Sequence, residues 1–236
     1  MVPFIVDNTA LLNIGCIIGV IQMTPSILKN VVTMPKQRAK RVRTRISYLD
    51  AAQQERFLKA AKEYGPREYA MFIFALAHGA RVQEICNLRI SDIDFRNEQV
   101  HIARVKGSLA STQHLLKVKG NPLFNEASAL KEWLAIRPAD ADNFVFNSQK
   151  ACQMHRVSAA KLFKAIAVKA GLPDGLQHPH VLKHSCAMNM VSKGVDAFMI
   201  RQQLGHKSFT STLSYVNPTD SQASAAASKA FSQIFG

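Results

Sequence analysis

The fold is decided by residues 178–215, which read HPHVLKHSCAMNMVSKGVDAFMIRQQLGHKSFTSTLSY. Three basic side chains near the start of this stretch are spaced i, i+3 and i+4 and share one helical face: His180, Lys183 and His184. A Leu-Gly-His corner then leaves His206 at the end of the following helix, and Tyr215 comes nine residues later. Basic groups that can hold a phosphate thus precede one hydroxyl that can attack it, which indicates a phosphoryl-transfer centre.

The chain as a whole is strongly basic. Its 236 residues include 30 Lys and Arg against 16 Asp and Glu, a net charge of +14, and 47% of them are apolar, which is enough for one sizeable core. Such an excess of positive charge favours a polyanionic partner, because neutralised phosphates release counterions. A nucleic acid is therefore the expected partner, and a ribosome-associated or merely basic protein is the alternative.

The cysteines point to the redox compartment. The chain has four, which are far apart and form no C-x-x-C pair: Cys16, Cys86, Cys152 and Cys186. This spacing suggests neither a zinc ribbon nor a disulfide framework, so a reducing cytoplasm is the expected location.

The amino-terminal region carries no clear targeting signal. Residues 10–23 are largely apolar, but this run is shorter than the ~20 residues that a membrane helix needs. Asp7 lies where a signal peptide would be positive. Two interpretations stay open: a short helix packed on the domain, or an upstream extension whose natural start is Met34. No membrane partner is expected.

A basic segment follows at 35–45, PKQRAKRVRTR, with six basic side chains and no acidic one. Such a segment cannot fold on its own and is expected to be extended. It either lies along DNA phosphates or is a solvated linker. The candidate DNA-binding side chains are Lys36, Arg38, Lys40, Arg41, Arg43 and Arg45.

Hydrophobic periodicity, caps and turn residues after this segment predict an α+β fold that is mainly helical. Helices are predicted over 51–64, 67–79, 81–88, 126–136, 157–170, 179–192, 197–204 and 208–215. Strands are predicted over 99–104, 112–118 and 144–146. The first two strands form a hairpin with Lys106 near its tip. The tail after Pro218 is alanine-rich and helical, and is too short to be stable unless it docks.

Arg81 is the first candidate for binding an anion. It follows an apolar helix and a glycine turn, so its guanidinium is expected at the edge of the core. That position is costly unless an anion pairs with the cation. Glu84 and a bound phosphate are the two candidate anions.

Two other chemistries fit the sequence poorly. His180 and His184 have the spacing of a zinc pair, but Val181 occupies the place of the glutamate in zinc proteases, and Lys183 would repel a cation. No G-x-S-x-G element supports a serine hydrolase. Neither a metal nor a cofactor is therefore expected.

Transfer of a phosphodiester to a tyrosine fits better, because it mainly needs pre-placed cations. Arg81 can grip two phosphate oxygens, while Lys183 and His206 add donors. Tyr215, with an ordinary pKa of about 10, needs a base or these cations to become a nucleophile. If its hairpin folds over the scissile bond, Lys106 can protonate the departing 5′ oxygen; the alternative is an ordinary solvated lysine in a turn. The product would be a covalent 3′-phosphotyrosine that reseals without ATP.

Four ordered segments carry a family resemblance: ARVQE at 80–84, HVLKHS at 180–185, LGH at 204–206, and Tyr215. Together they resemble the signature boxes of the tyrosine recombinase or phage integrase family, over roughly 47–215. The resemblance implies the family's catalytic domain, with a small three-stranded antiparallel sheet. It also implies catalytic roles for Arg81, Lys106, His180, His206 and Tyr215, with Tyr215 as nucleophile, and supporting roles for Glu84 and His184.

The sequence departs from the family at Lys183, where the family has its second arginine. Lysine keeps the charge but loses the planar fork, so a charge-assisted bond worth about 2–3 kcal/mol, or roughly 30- to 150-fold in rate, is at stake. A slow enzyme is expected, with Lys183 still among its catalytic cations. The rival is a regulator of the same fold that binds DNA and no longer cuts it.

The second departure concerns domains. Residues 1–46 are expected to be an extension and basic linker, too short for the family's core-binding domain. Residues 47–217 are expected to form the catalytic domain, and 218–236 the tail. The chain resembles compact members such as the inverters of fimbrial switches. The resemblance implies a homotetramer on two double-stranded DNA sites, a Holliday junction intermediate and a tail given to a neighbouring protomer. A type IB topoisomerase is the alternative within the same chemistry. DNA binding is expected to be weak and salt-sensitive.

Overall fold

The computed structural model describes residues 46–105, 107–138, 142–150, 152–216 and 220–235. Lys106 and the basic segment at 35–45 lie outside the described residues. The helices are α1 (Ala51–Tyr64), α2 (Pro66–His78), α3 (Val82–Cys86), α4 (Glu126–Ile136), α5 (Arg156–Lys169), α6 (His180–Ser192), α7 (Ala197–Leu204), α8 (Thr210–Leu213) and α9 (Asp220–Phe235). The strands are β1 (Ile93–Asp94), β2 (Gln99–Ile102) and β3 (Ser111–His114). The predicted fold class, mainly helical α+β with one small sheet, is confirmed.

The first two helices begin and end where their cap residues predict. Asp50 accepts from the backbone N–H of Gln53 at 2.8 Å, and the Gln53 side chain accepts from Asp50 N–H at 2.9 Å, which forms a capping box. Gly79 ends α2 with a φ of +55°, a left-handed conformation that glycine adopts without strain. A Cβ at Gly79 would lie 2.4 Å from Cδ2 of Leu204, so α2 and α7 meet closely there.

The core is built around α2, whose side chains are buried over most of its length. It packs against α1, α4 and α6. Phe57, Phe72 and Phe163 form an aromatic cluster in which the Phe57 and Phe163 ring centroids lie 4.8 Å apart. A second, smaller cluster joins α6 to α7, and Tyr215 packs on it. Cys186 of this cluster donates its Sγ–H to the Ala77 carbonyl at 3.4 Å, so the carboxyl end of α2 lies beside the cluster on which Tyr215 packs.

The three strands form one antiparallel sheet in the order β1-β2-β3. Val100 and Ile102 of β2 face the core, and His101 between them faces outward. This confirms the predicted hairpin over 99–104 and 112–118, with shorter strands.

The third strand was predicted in the wrong place. It lies at Ile93–Asp94, and Phe144 makes only an isolated bridge to Arg89. The Asp94 carboxylate accepts from the backbone N–H groups of the next turn, and this turn folds β1 back onto β2. At 144–146 the carbonyl of Val145 accepts instead from the Trp133 indole N–H at 2.8 Å. The Val145 N–H donates to the Leu88 carbonyl at 2.8 Å, and the Phe146 carbonyl accepts from the Met154 N–H at 3.2 Å, so this segment makes single bridging contacts and not a strand of the sheet.

No helix among the described residues has both the length and the apolar character needed to cross a bilayer.

Candidate active site

The turn between α2 and α3 positions Arg81 and Glu84 as a pair. Nη1 of Arg81 donates to Oε1 of Glu84 at 2.8 Å and to Oγ of Ser108 at 3.1 Å. Glu84 Oε2 accepts from the Arg81 backbone N–H at 2.9 Å, which caps α3. The Glu84 side chain is buried, whereas 24% of the Arg81 side chain stays exposed. Glu84 therefore holds Arg81 while its guanidinium still faces the surface.

A buried arginine that the sequence analysis missed lies behind this pair. The side chain of Arg104 is 0% exposed. Its guanidinium donates to Glu84 Oε2 at 2.9 Å, to the carbonyl of His78 at 3.0 Å and to the carbonyl of Gln203 at 2.6 Å. The signal for it was the alternation of β2: Val100 and Ile102 point inward, and Arg104 continues the same register. An inward cation at the end of a strand needs buried acceptors.

Lys183 is also buried, at 3% exposure. Its Nζ donates to the carbonyl of Gly79 at 2.9 Å and to the carbonyl of Leu204 at 2.8 Å. Burial, followed by the positive charges of Arg104 and Arg81, lowers the Lys183 pKa to about 7. In the absence of an added anion, this ammonium is only partly charged at neutral pH.

Tyr215 lies in the turn after α8, with its hydroxyl 2.7 Å from Nδ1 of His184. Burial raises the pKa of Tyr215 to about 12 and lowers the pKa of His184 to about 4. At neutral pH the phenol is therefore protonated and the imidazole neutral, so the hydroxyl donates to Nδ1. The motif predicts a supporting role for His184, whereas the structure puts it in direct contact with the candidate nucleophile.

His206 stands at the corner that follows α7. Gly205 makes this corner with a φ of +64°, and His206 Nδ1 is 3.0 Å from the hydroxyl of the buried Thr212. The ring lies nearly parallel to that of Tyr215, with centroids 6.3 Å apart. Burial and the charges of Lys183 and Arg81 lower the His206 pKa to about 4. The corner thus places a neutral imidazole beside the phenol.

His180 is exposed at the start of α6, with its ring centroid 5.3 Å from that of His184. Partial loss of hydration and the nearby positive charges of Lys183 and Arg81 lower the His180 pKa. His180 and Arg81 line one cavity of about 430 Å³, together with His178 and Arg156. Two predicted catalytic residues from distant parts of the chain therefore face the same space.

The hairpin contacts the site on both sides of Lys106. Val105 donates its backbone N–H to Glu84 Oε1 at 3.3 Å, and Ser108 accepts from Arg81. The predicted residues that are described thus converge in two linked groups. The first group contains Arg81, Glu84 and Lys183, and it is connected through Arg104 and the Gly79 carbonyl. The second group contains His180, His184, His206 and Tyr215. Such a set of cations, imidazoles and one phenol suits a phosphate diester.

Comparison with known proteins gives a consistent result. Residues 47–222 match the phage integrase family. The type 1 fimbriae regulatory protein FimB of Escherichia coli K12 is 34% identical over 174 residues, which cover 72% of this chain and 83% of FimB. The crystal structure of XerA recombinase superposes with a TM-score of 0.63 at 26% identity, over 86% of this chain and 67% of that one.

A further solved structure shares the fold. The Tn1549 transposon integrase, in complex with circular intermediate DNA, has a TM-score of 0.62 at 21% identity, over 88% of this chain and 71% of that one. The resemblance read from the four motif segments is confirmed by these matches. The chain belongs to the phage integrase family and contains its tyrosine recombinase catalytic domain.

Proposed function

We propose that this protein is a site-specific DNA recombinase, which cleaves and rejoins DNA strands through a covalent 3′-phosphotyrosine intermediate. The observation that carries the proposal is the contact between the Tyr215 hydroxyl and Nδ1 of His184, beside the wall formed by Arg81 and His180. A phenol with a hydrogen-bonded base next to a cationic anion site is the arrangement that nucleophilic attack on phosphorus requires.

In the proposed cleavage step, Oη of Tyr215 attacks the scissile phosphorus and the bond from phosphorus to the 5′ oxygen breaks. The phenolic proton passes to Nδ1 of His184, and the departing 5′ oxygen takes a proton from Lys106. Rejoining runs the same steps in reverse, with a 5′ hydroxyl of another strand as the attacking group. The phosphodiester bond energy is kept in the phosphotyrosine, so no ATP is used.

The surrounding cations offset the high pKa of the Tyr215 hydroxyl, which disfavours its ionisation. A Tyr215 pKa of about 12 leaves very little phenolate at neutral pH. Arg81, His180 and His206 are the candidate donors to the phosphate oxygens, and the arriving phosphate favours the charged forms of the imidazoles and of Lys183. The bound phosphate would thereby favour protonation of the side chains that stabilise it.

The proposed substrate is double-stranded DNA, which the net charge of +14 supports. We further propose that the protein works as a homotetramer in which α9 is given to a neighbouring protomer. Every described side chain of α9 is exposed, including Phe231 at 64%, Ile234 at 71% and Phe235 at 78%. A cavity of about 350 Å³ beside α2 and α6 offers an apolar acceptor, lined by Leu76, Leu116, Val118, Phe124 and Met190.

The second candidate function is a regulator that binds DNA without cutting it. One observation favours it: the Lys183 ammonium already donates to two carbonyl oxygens and does not reach into the cavity beside Arg81. The arginine that the family has at this position is longer and has a planar guanidinium with several donors. It could therefore reach a phosphate that the Lys183 ammonium does not.

A nicked suicide DNA substrate tests the proposed function, because loss of the cleaved fragment traps the covalent complex. We expect a slower-migrating protein–DNA band that is resistant to denaturant, present with the wild type and absent with Tyr215→Phe. The matched control is Tyr64→Phe, which removes an exposed tyrosine hydroxyl at the end of α1. DNA binding with no covalent band would establish the regulator instead, and relaxation of supercoiled plasmids of any sequence would establish a topoisomerase.

A further inference from the structure

Arg104 connects three segments of the chain that carry candidate catalytic residues. Its acceptors are Glu84 behind Arg81, the His78 carbonyl at the end of α2, and the Gln203 carbonyl at the end of α7. Arg104 itself belongs to the hairpin that carries Lys106. One buried guanidinium therefore bridges the turn, the hairpin and the helix that leads to His206.

Gly205 packs directly against the side chain of Arg104. A Cβ at Gly205 would lie 2.9 Å from Cγ of Arg104 and 2.8 Å from the carbonyl oxygen of Leu109. Leu109 also donates its backbone N–H to the Gly205 carbonyl at 3.1 Å. The glycine of the Leu-Gly-His corner thus permits a direct contact between hairpin and corner, in addition to its left-handed turn.

The energetics favour a fixed role for this side chain. A buried cation is costly unless it is paired and hydrogen-bonded. Arg104 has one carboxylate partner and several carbonyls at the carboxyl ends of α2 and α7, where helix dipoles are negative. It also shares an acceptor with Lys183, because both donate to the Gly79 carbonyl, Arg104 at 3.4 Å and Lys183 at 2.9 Å. A guanidinium held by so many acceptors has little freedom to move.

We propose that Arg104 is a positioning residue for strand cleavage. Its guanidinium fixes Arg81, the hairpin of Lys106 and the corner of His206 relative to one another, and keeps a permanent positive charge beside Lys183. The inference rests on the proposed function, since it assigns a role in that reaction. Arg104 does not touch the DNA in this role; it acts through the residues that do.

The first test compares Arg104→Met, Arg104→Lys and the control Arg137→Met. Arg137, at the end of α4, is also largely buried, and its Nε, like that of Arg104, has no partner among the described residues. At saturating suicide substrate, we expect Arg104→Met to lower the cleavage rate constant by about 10- to 100-fold, the scale of a misplacement of about 1 Å. DNA affinity should stay within about threefold, and Arg137→Met should cleave like the wild type.

Arg104→Lys separates charge from geometry. A single ammonium cannot bridge acceptors in three segments, so we expect it to recover only part of the lost rate. A wild-type rate in either Arg104 variant, or a loss confined to DNA affinity, would overturn the inference. If Arg104→Met does not fold, which far-ultraviolet circular dichroism will reveal, the rate of Arg104→Lys decides.

A second measurement does not depend on cleavage. Carbon-13 labelling of lysine Cε allows the titration of Lys183 to be followed by NMR, with Lys183→Arg to assign the signal. We expect a midpoint near pH 7 in the wild type, as its pKa of about 7 implies, and a higher midpoint in Arg104→Met. An unchanged midpoint would overturn the inference. If the wild type formed no covalent complex, the proposed function would fail, while this shift would still decide whether Arg104 acts on Lys183.

Discussion

The hydroxyl of Tyr215 lies 2.7 Å from Nδ1 of His184, across 31 residues of sequence. The two groups are matched, because a phenol with a raised pKa keeps its proton and an imidazole with a lowered pKa is free to accept the hydrogen bond. The hydrogen bond holds the hydroxyl in place but does not ionise it. In the proposed reaction, Tyr215 is therefore activated only when the negative charge of the phosphate favours the protonated imidazole of His184.

Replacing His184 with Ala should lower the cleavage rate constant by about 100-fold or more, because the proton acceptor for Tyr215 is lost. The measurement is the rate of covalent complex formation at saturating suicide substrate. His101→Ala is the control, since His101 is an exposed histidine on β2. If His184→Ala cleaved as fast as this control, His184 would not be the base.

Lys183→Arg should raise the rate of covalent complex formation by about 30- to 150-fold, the value of a regained charge-assisted bond of about 2–3 kcal/mol to the phosphate. The longer guanidinium can reach past the carbonyls of Gly79 and Leu204 that now bind Nζ. A thermal unfolding curve checks that the larger side chain is accommodated. If the variant folded and still gave no covalent complex, the non-catalytic regulator would be favoured.

The stability of the DNA-free protein should rise between pH 7 and pH 8.5 through Lys183. Its pKa is about 7 in the folded protein against an ordinary 10.5, so the unfolded chain binds the extra proton in this window and stability increases with pH. The charged and titratable groups that act on Lys183 are Arg81, Glu84, Arg104, His180, His184, Cys186 and His206. Urea unfolding at both pH values measures the change.

Lys183→Met is the control for this pH dependence, because it removes the titrating group and keeps the length of the side chain. The gain in unfolding free energy should disappear in the variant. The window ends at pH 8.5 because burial raises the pKa of Cys86 and of Cys186 to about 11, and the unfolded thiols ionise near pH 9. That effect lowers stability as the pH rises further. An equal gain in both proteins would contradict the assignment to Lys183.

Gly205→Ala should destabilise the fold more than Gly171→Ala, although both glycines have positive φ, +64° and +66°. A Cβ at Gly171 would meet no atom within 4 Å, whereas one at Gly205 would press on Arg104 and Leu109. We expect about 1 kcal/mol for Gly171→Ala and 1–3 kcal/mol more for Gly205→Ala. Urea unfolding measures both changes in the free energy of unfolding. Equal changes in the two variants would mean that Arg104 and Leu109 move aside without cost.

Replacing Phe231 and Phe235 with Ser should prevent tetramer assembly on DNA and leave the fold intact. Both rings are exposed, and their centroids lie 6.0 Å apart on α9. The measurement is the mass of the complex on two DNA sites, with Ser232→Ala on the same helix as control. Unchanged tetramers would show that α9 is not exchanged.

Much of this architecture follows from local chemistry. The ends of α1 and α2 were predictable because Asp50 and Gly79 carry the cap signals themselves. Arg104 was missed because its acceptor at Gln203 lies 99 residues away, and only the folded chain brings them together. The third strand was misplaced for a similar reason, since Val145 donates its N–H to the Leu88 carbonyl, which only the folded chain brings beside it. Sequence patterns indicate that a polar group will be buried, but they do not identify its hydrogen-bond partner.

Arg104 and Lys183 both donate to the same main-chain acceptor, the carbonyl oxygen of Gly79. An alanine scan cannot delete it, because every residue type carries the same main-chain atom. Any side chain added at position 79 would instead collide with Leu204 and force an unfavourable φ. The attachment of these two cations therefore depends on the length of the α2–α3 connection, and we expect that inserting or removing one residue there would impair the proposed cleavage more than most single substitutions.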